Sequence, residues 1–361
     1  MRLRLNCMVA AGLALGSVVQ ARQAPVPTVE RLAGCMGTSL RLVVEGPSRK
    51  DALLASEAAL RAVEAVEARL STWGTTSELA RLNATPVGTP FELSGELAAD
   101  LAGCVAWQRA SAGAFDPSVG ALVAAWDLRG AGRVPDESEL VRARQATGLE
   151  RTFRIEGRRA TRLVEGARIE EGGFGKGCGL DAGLAALAQA GARGSLDLGG
   201  QVATLGRTLE LELADPRDRN RPVLAWRLES GSVATSGNSE RGRVVDGVRV
   251  GHLLDPRTGR PAPDHGSVAV WSASAASADA FSTAAFVLGP DAALKWAAES
   301  GGETGRVELV VLGVEGDVLV ARATAGLAGR LRVLAPDVRL QLEGQAVQRT
   351  GPQREQRPTK P

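Results

Sequence analysis

Apolar residues recur at intervals of three and four along Lys50–Leu70, with charged residues between them. This spacing predicts an amphipathic helix whose apolar side faces a core. Comparable patterns predict a helix that ends at Gly289, another that starts at Pro290, and three more over Leu93–Ala110, Ser138–Ala146 and Leu180–Ala190.

Runs rich in β-branched residues, broken by Gly or Asp-Gly turns, predict strands. They cover Ser39–Val44, Thr152–Val164, Ser195–Leu205, Thr208–Leu213, Val223–Glu229, Val244–Leu254 and Ser267–Ser272. Arg306–Gly313 and Asp317–Ala323 predict a hairpin that closes the domain. Helices and strands mix without a strict βαβ rhythm, so the predicted fold class is α+β.

Composition and charge exclude some kinds of site and partner. The 361 residues are 44% hydrophobic and 23% charged, as in an ordinary globular chain. His252 and His265 are the sole histidines, which excludes a multi-histidine metal site. Tyrosine is absent. The formal charge is +2, residues 1–21 contribute +2 and residues 341–361 another +2, so the remainder carries 2 − 2 − 2 = −2. Such a balance predicts no nucleic-acid partner.

The ends of the chain differ from its body. Arg2, Arg4 and the apolar run that follows have the pattern of a signal peptide over residues 1–21, which predicts export to the periplasm or the outer face of the inner membrane. Residues 22–340 would form the functional domain, and the polar residues 341–361 a disordered tail. Cys35 closes a segment that resembles a lipoprotein cleavage box, so membrane association is expected only through such an anchor or through a partner.

The mature chain would keep Cys35, Cys104 and Cys178, with no metal-binding spacing among them. Three buried free thiols are the preferred interpretation, and one disulfide is the alternative.

Clusters of small and polar residues interrupt the apolar pattern, and ligands often bind at such places. They are Met36–Thr38, Ser71–Trp73 with Ser77–Asn83, Gly113–Gly120, Glu171–Gly177 and Asp279–Thr283. The segment Glu171–Gly177 follows a strand and precedes a helix, as anion-binding loops do, but it lacks the P-loop pattern. A structural turn or helix cap would also explain each cluster.

Asp279 and Thr283 are four residues apart on a predicted helix, so their oxygens would emerge on one face. Hard oxygen ligands of this kind suit Mg²⁺. Alternatively, Asp279 caps the helix and Thr283 bonds to the i−4 carbonyl. His252 titrates near neutral pH and could accept a proton, or it is structural.

Taken in order, these clusters and three more resemble the ApbE family of flavin transferases, the FAD:protein FMN transferases, over about residues 30–325. The further matches are Asp197–Gly200, Ala234–Gly237 and His252 with Asp255–Gly259. The resemblance implies a T-fold-like core, a smaller α/β portion and an FAD cleft between them.

The resemblance also implies an activity. FMN would be transferred from FAD to a threonine hydroxyl of an exported FMN-accepting protein or redox subunit, with Mg²⁺ bound and AMP released. The implied catalytic residues are His252, Lys176 and Asp279, and the implied Mg²⁺ ligands are Gly175, Asp279 and Thr283. The implied FAD contacts are Met36, Trp73, Phe115, Asp116, Gly172, Gly173, Lys176, Asp181, Gly199, Gly200, Ser236, Gly237 and His252.

Two alternatives stay open on the same residues: an FAD pyrophosphatase that forms FMN and AMP, and a non-catalytic exported FAD-binding protein. One departure bears on affinity. Where the family has Asp-Leu before the paired glycines, this chain has Glu170-Glu171, and Gly175 replaces an alanine. An extra acidic residue beside the diphosphate and a more flexible carbonyl predict looser FAD binding.

Overall fold

The computed structural model describes residues 26–238, 243–245, 248–300 and 305–344. Helices and strands alternate irregularly in these ranges, which confirms the predicted α+β class. The predicted signal peptide lies outside the described residues. Within them, no helix is both long and apolar enough to cross a membrane.

The helices of the described residues are α1 (Arg49–Leu70), α2 (Glu78–Ala84), α3 (Gly95–Ala110), α4 (Gly120–Ala125), α5 (Glu137–Gln145), α6 (Leu149–Thr152), α7 (Gly175–Gln189), α8 (Ala275–Leu288) and α9 (Pro290–Glu299).

The first ten strands are β1 (Thr28–Cys35), β2 (Thr38–Glu45), β3 (Pro90–Glu92), β4 (Phe153–Glu156), β5 (Arg159–Arg162), β6 (Arg193–Leu198), β7 (Gln201–Leu205), β8 (Leu209–Asp215), β9 (Asp218–Leu228) and β10 (Gly231–Gly237). The others are β11 (Arg243–Val245), β12 (Val248–Val250), β13 (Leu254–Asp255), β14 (Arg260–Pro261), β15 (Ser267–Ser272), β16 (Glu308–Glu315), β17 (Val318–Ala323), β18 (Leu331–Val333) and β19 (Val338–Leu342).

One large open sheet organises the fold. In the described residues it has nine strands in the order β1-β2-β6-β7-β10-β15-β16-β17-β19. Neighbouring strands are antiparallel except β17 and β19, which are parallel. A second sheet, β18-β9-β8, covers one face, and helices α1, α7 and α8 cover the other.

Both faces of the large sheet are buried, because successive side chains along its strands pack into different clusters. In β15, Val268 and Val270 pack with the helices, whereas Ala269 packs toward the second sheet. Strand β16 repeats the pattern, with Val311 on the helix side and Val310 on the other. Because successive strand side chains point to opposite faces, an apolar run of this kind supplies two cores at once.

A smaller α/β portion is inserted between α1 and α7. It contains α2 to α6 and the three-stranded sheet β3-β5-β4. Its Phe115 belongs to the same buried cluster as Phe281 of α8. The insert is therefore packed against the helical layer of the core, as expected for a core with a smaller portion beside it.

Two predicted boundaries are wrong. Helix α7 begins at Gly175 instead of Leu180, because close packing against α8 outweighs the low helix propensity of its glycines. The predicted start of the tail at residue 341 is too early, because Gln341 and Leu342 are the last residues of β19 and pair with β17. The parallel ladder satisfies their backbone groups, and residues 345–361 lie outside the described part of the chain.

The cysteines Cys35, Cys104 and Cys178 are buried and free, as preferred from the sequence. Burial, followed by the neighbouring Glu67 carboxylate, raises the pKa of Cys35 to about 12. Burial also raises the pKa of Cys104 and Cys178 well above the ordinary value. All three are therefore neutral, unreactive core side chains.

Helix α8 is the central helix, since twelve of its fourteen residues are buried. Helix α7 crosses it at Gly177, where an added Cβ would lie 2.3 Å from the Ala275 carbonyl oxygen and 2.5 Å from the Ala276 Cα. Both neighbours are backbone atoms and cannot rotate away. Only glycine permits this crossing distance.

Gly177→Ala should therefore lower the free energy of unfolding by about 1–3 kcal/mol, through overpacking of the α7–α8 crossing. The matched control is Gly95→Ala in the first turn of α3, where the described residues place no atom within 4 Å of the added Cβ apart from its chain neighbours and its own helix backbone. Chemical denaturation of both variants measures the difference. Equal stability of the two would contradict the tight crossing.

Candidate functional site

The first turn of α7 meets a buried carboxylate of α8. The side chain of Lys176 donates from Nζ to Oδ1 of Asp279 at 3.0 Å, and the Gly177 amide donates to Oδ2 at 3.1 Å. Asp279 is only 4% exposed, whereas the lysine side chain is 29% exposed. The carboxylate is thus fixed by two donors, and the ammonium faces both it and solvent.

The start of α7 is suited to an anion. Phe174 occupies the N-cap position without a side-chain cap hydrogen bond, and the first turn of the helix contains no acidic residue. The first amides of a helix lack intrahelical partners and carry a partial positive charge. Of these amides, that of Gly177 donates to Asp279, and the helical hydrogen bonds begin with the Cys178 amide, which donates to the Phe174 carbonyl.

Thr283 lies on α8 one turn after Asp279, as the spacing predicted. Its Oγ1 is 3.4 Å from the position of a Cβ added to Gly173, so the hydroxyl faces the glycine pair. Ser274 caps α8 and Asp279 lies inside the helix, so the capping alternative for Asp279 is wrong. It is Ser282 whose hydroxyl donates to the Asp279 carbonyl, at 2.9 Å.

The donor set fits a hard divalent cation. Within the described residues, no group of three His, Cys, Asp or Glu side chains could hold a metal ion. A cation here would rely on the Asp279 carboxylate, the Thr283 hydroxyl and the Gly175 carbonyl. Mg²⁺ binds in this way, with one or two carboxylates and with water or phosphate at its other positions. Carboxylate oxygens keep lone pairs beyond those given to Lys176 and Gly177.

The end of β10 also contacts α8. Ser236 shares a 2.9 Å hydroxyl hydrogen bond with Ser282, the neighbour of Thr283. Gly237 pairs with Ser267, and the following Asn238 packs against Gly251. His252 directly follows Gly251, so the structure brings its loop to the β10 end of the site, where its role as a base stays a prediction.

Four other predicted FAD contacts make contacts within the protein. Asp181 accepts hydrogen bonds from Ser274 Oγ and from the Ala275 and Ala276 amides at 2.7–3.0 Å, so it caps α8. Met36 packs near Gly179, and a Cβ on Gly199 would lie 2.8 Å from Thr38. Gly200 donates to Asp197 at 2.9 Å. These residues fix α7, α8 and two strand turns relative to one another.

Phe115 and Asp116 support the site from beneath. The Phe115 ring is buried and lies 3.2 Å from the position of a Cβ added to Gly173. Asp116 is 7% exposed and accepts from Ser118, from the Leu149 amide and from Gln108. Burial raises the pKa of Asp116, and these hydrogen bonds oppose the shift. Its carboxylate is committed to the insert.

Trp73 is 74% exposed, and its ring lies under the guanidinium of Arg129 with 4.7 Å between Cζ and the ring centroid. Arg129 also pairs with Glu170, two residues before the glycine pair. The sequence analysis missed Arg129, and the one available signal was the unexplained acidic pair Glu170-Glu171. It also missed Gln201, whose side chain donates to the Ala275 carbonyl at 2.8 Å.

Comparison with known proteins agrees with the predicted resemblance. A family model for the ApbE family matches residues 36–307. An FAD:protein FMN transferase from Rhodobacter capsulatus is 32% identical over 312 residues, covering 82% of this chain and 58% of that protein. One from Treponema pallidum is 32% identical over 300 residues, covering 74% of this chain and 78% of that protein. The chain thus spans less than two thirds of the Rhodobacter protein.

Solved structures show the same fold. The ApbE protein of Thermotoga maritima superposes with a TM-score of 0.73 at 30% identity, over 80% of this chain and 96% of that one. The flavin transferase ApbE from Vibrio cholerae gives a TM-score of 0.72 at 25% identity, over 85% and 100%.

The contacts of Asp181 generate a prediction about stability. Asp181→Ala should lower the free energy of unfolding by about 2 kcal/mol, since it leaves the Ala275 and Ala276 amides at the start of α8 without their acceptor. Asp181→Asn keeps one acceptor oxygen and should lose less. Denaturation and FAD titration of both variants test this. Unchanged stability with weakened FAD binding would instead support the direct contact predicted from the sequence.

Proposed function

The chain belongs to the ApbE family of flavin transferases, and on that premise we propose that it transfers FMN from FAD to a threonine hydroxyl of an acceptor protein and releases AMP. The observation that carries the proposal is the start of α7, where the N-cap residue Phe174 gives no side-chain cap and Lys176 pairs with the buried Asp279. Amides, ammonium and a fixed carboxylate in one place suit a diphosphate and a cation.

In this proposal, the chain's own groups align and neutralise the diphosphate. The α7 amides and Lys176 bind its oxygens, and the absence of side chains at Gly172 and Gly173 lets it approach the backbone. Phe115 supports the glycine pair from below. Mg²⁺, held by Asp279, Thr283 and the Gly175 carbonyl, would supply further charge neutralisation at the phosphoryl oxygens.

The transfer forms one bond and breaks another. The acceptor threonine oxygen bonds to the FMN phosphorus, the bond from that phosphorus to the bridging oxygen breaks, and AMP leaves with the bridging oxygen. The hydroxyl proton must be removed, and we assign this to His252. Positioning and charge stabilisation account for the rest of the catalysis.

We also propose that the enzyme acts outside the cytoplasm, on an exported FMN-accepting protein or redox subunit. The support is the signal-peptide pattern of residues 1–21. Any membrane association would come through the acceptor, because Cys35 is buried at the end of β1 and cleavage before it would remove that strand.

The decisive experiment incubates the purified chain with FAD and Mg²⁺, with and without an exported FMN-binding domain from the same genome. Chromatography follows AMP, and mass spectrometry follows the acceptor. An acceptor that gains one FMN, with AMP released only in its presence, supports the transferase. AMP and free FMN without acceptor would identify a pyrophosphatase, and FAD binding without release a binder. An acceptor whose threonine is replaced by alanine is the control.

Asp279→Ala should lower the transfer rate at least about a hundredfold at saturating FAD and Mg²⁺, because it removes the one anionic ligand. Asp279→Asn keeps an acceptor for Lys176 but not the charge, so its rate should also be low. Asp291→Ala, at an exposed carboxylate paired with Arg322, is the matched control. Near-normal rates in both Asp279 variants would contradict the assignment of Asp279 as a Mg²⁺ ligand.

His252→Gln should slow transfer about a hundredfold or more while FAD affinity stays within about twofold, because it removes a base and not a phosphate contact. The measurement is kcat from pH 6 to 8, with FAD titration beside it. An unchanged rate over this range would assign His252 to a structural role.

A further inference from the structure

Arg129 lies at the centre of a polar cluster beside the proposed diphosphate site. Its guanidinium donates to the Thr72 carbonyl at 2.7 Å, and also to the Thr72 hydroxyl and the Glu170 carboxylate. The same guanidinium lies over the Trp73 ring. One side chain thus joins the Trp73 loop to the residue pair that precedes the glycines.

Two acidic side chains flank the start of α7. Glu170 and Glu171 directly precede Gly172, and the Cβ of Glu171 lies 3.2 Å from the position of a Cβ added to Gly175. The Thr72 hydroxyl hydrogen-bonds with both carboxylates. Burial is the largest influence on Glu170 and raises its pKa, while the charge of Arg129 lowers it. Without compensation, these carboxylates would repel a diphosphate bound at the helix start.

The loop that carries Arg129 is held in place. Asp127 adopts a left-handed conformation with φ of 49°, directly after α4 and Trp126. Its carboxylate accepts from the Gly132 amide at 3.2 Å and lies so close to Gly130 that an added Cβ would be 2.4 Å away. The arginine therefore projects from a constrained turn, and its position over Glu170 is set by the backbone.

We propose that Arg129 is a positioning residue for FAD: it pairs with Glu170, offsets one of the two carboxylate charges beside the diphosphate, and holds the Trp73 ring at the mouth of the site. This inference rests on the proposed function, because it takes FAD as the ligand. Arg129 compensates the acidic pair that led the sequence to predict looser binding. The planar guanidinium suits this role, since it forms a fork of hydrogen bonds and stacks on an aromatic ring at once.

A double-mutant cycle tests the charge role. FAD dissociation constants are measured by flavin fluorescence, without acceptor, for the wild type, Arg129→Met, Glu170→Gln and the double variant. Arg129→Met should raise the dissociation constant about tenfold, which corresponds to about 1.4 kcal/mol. In the Glu170→Gln background, the same substitution should raise it less than about threefold, because no Glu170 carboxylate remains for the loss of Arg129 to leave unpaired.

Arg133→Met is the matched control, since Arg133 forms a comparable ion pair with Glu139 in the same loop region and is not part of the cluster. Its dissociation constant should match the wild type. In the transfer assay, Arg129→Met should raise KM for FAD and change kcat less than about twofold, because Arg129 acts on binding.

The proposal is overturned if Arg129→Met binds FAD within twofold of the wild type, or if its loss is equal in both backgrounds. If Arg129→Met does not fold, Arg129→Lys keeps the charge and should bind FAD within about threefold of the wild type. A tenfold loss there would overturn the charge role. A wild-type chain that binds FAD but never releases AMP would refute the transferase and leave this test intact, whereas one that does not bind FAD refutes both.

Discussion

The crossing of α7 and α8 at Gly177 is the constraint on which the site depends. Because glycine brings the two backbones into contact, the Gly177 amide reaches Asp279 on the neighbouring helix. Lys176, the residue before Gly177, pairs with the same carboxylate. A larger residue at 177 would separate the helices and remove the carboxylate from the start of α7. A packing requirement and a binding requirement are met by one residue.

The rest of the fold keeps this crossing in register. Asp181 caps α8 from α7, and Gln201 of β7 binds the Ala275 carbonyl. The large sheet lies beneath, with both faces buried, so its strands cannot slide without exposing apolar side chains. Asp181, Phe115 and Asp116 thus hold the elements around the proposed site in place: Asp181 binds the start of α8, Phe115 packs beside Gly173, and Asp116 binds groups of the insert.

The sequence predicted elements where local pattern and tertiary packing agree. The amphipathic α1 and the hairpin of β16 and β17 were found nearly to their ends, and the i, i+4 pair of Asp279 and Thr283 lies on α8 as expected. The predicted start of α7 is too late, because three glycines in its first turns have a low helix propensity. Gly177 is required there by its contact with α8, which is about a hundred residues away in the sequence and cannot be seen in a local pattern. For the same reason the paired end of β19 appeared to be a polar tail: only its partner β17 makes it a strand. Arg129 could not be predicted, since its partners Thr72 and Glu170 are 57 and 41 residues away.

The Arg129 cluster shows why a departure from a family pattern has to be judged in three dimensions. Read along the chain, Glu170-Glu171 adds negative charge where a diphosphate would bind. In space, Glu170 is paired with Arg129, and Glu171 is hydrogen-bonded with Thr72. The ring of Trp73 is drawn into the same cluster by the guanidinium. An acidic pair that would weaken anion binding on its own thereby becomes the attachment point for the loop at the mouth of the site. Its net effect on a ligand depends on whether the arginine is present, because the guanidinium offsets the charge of one of the two carboxylates.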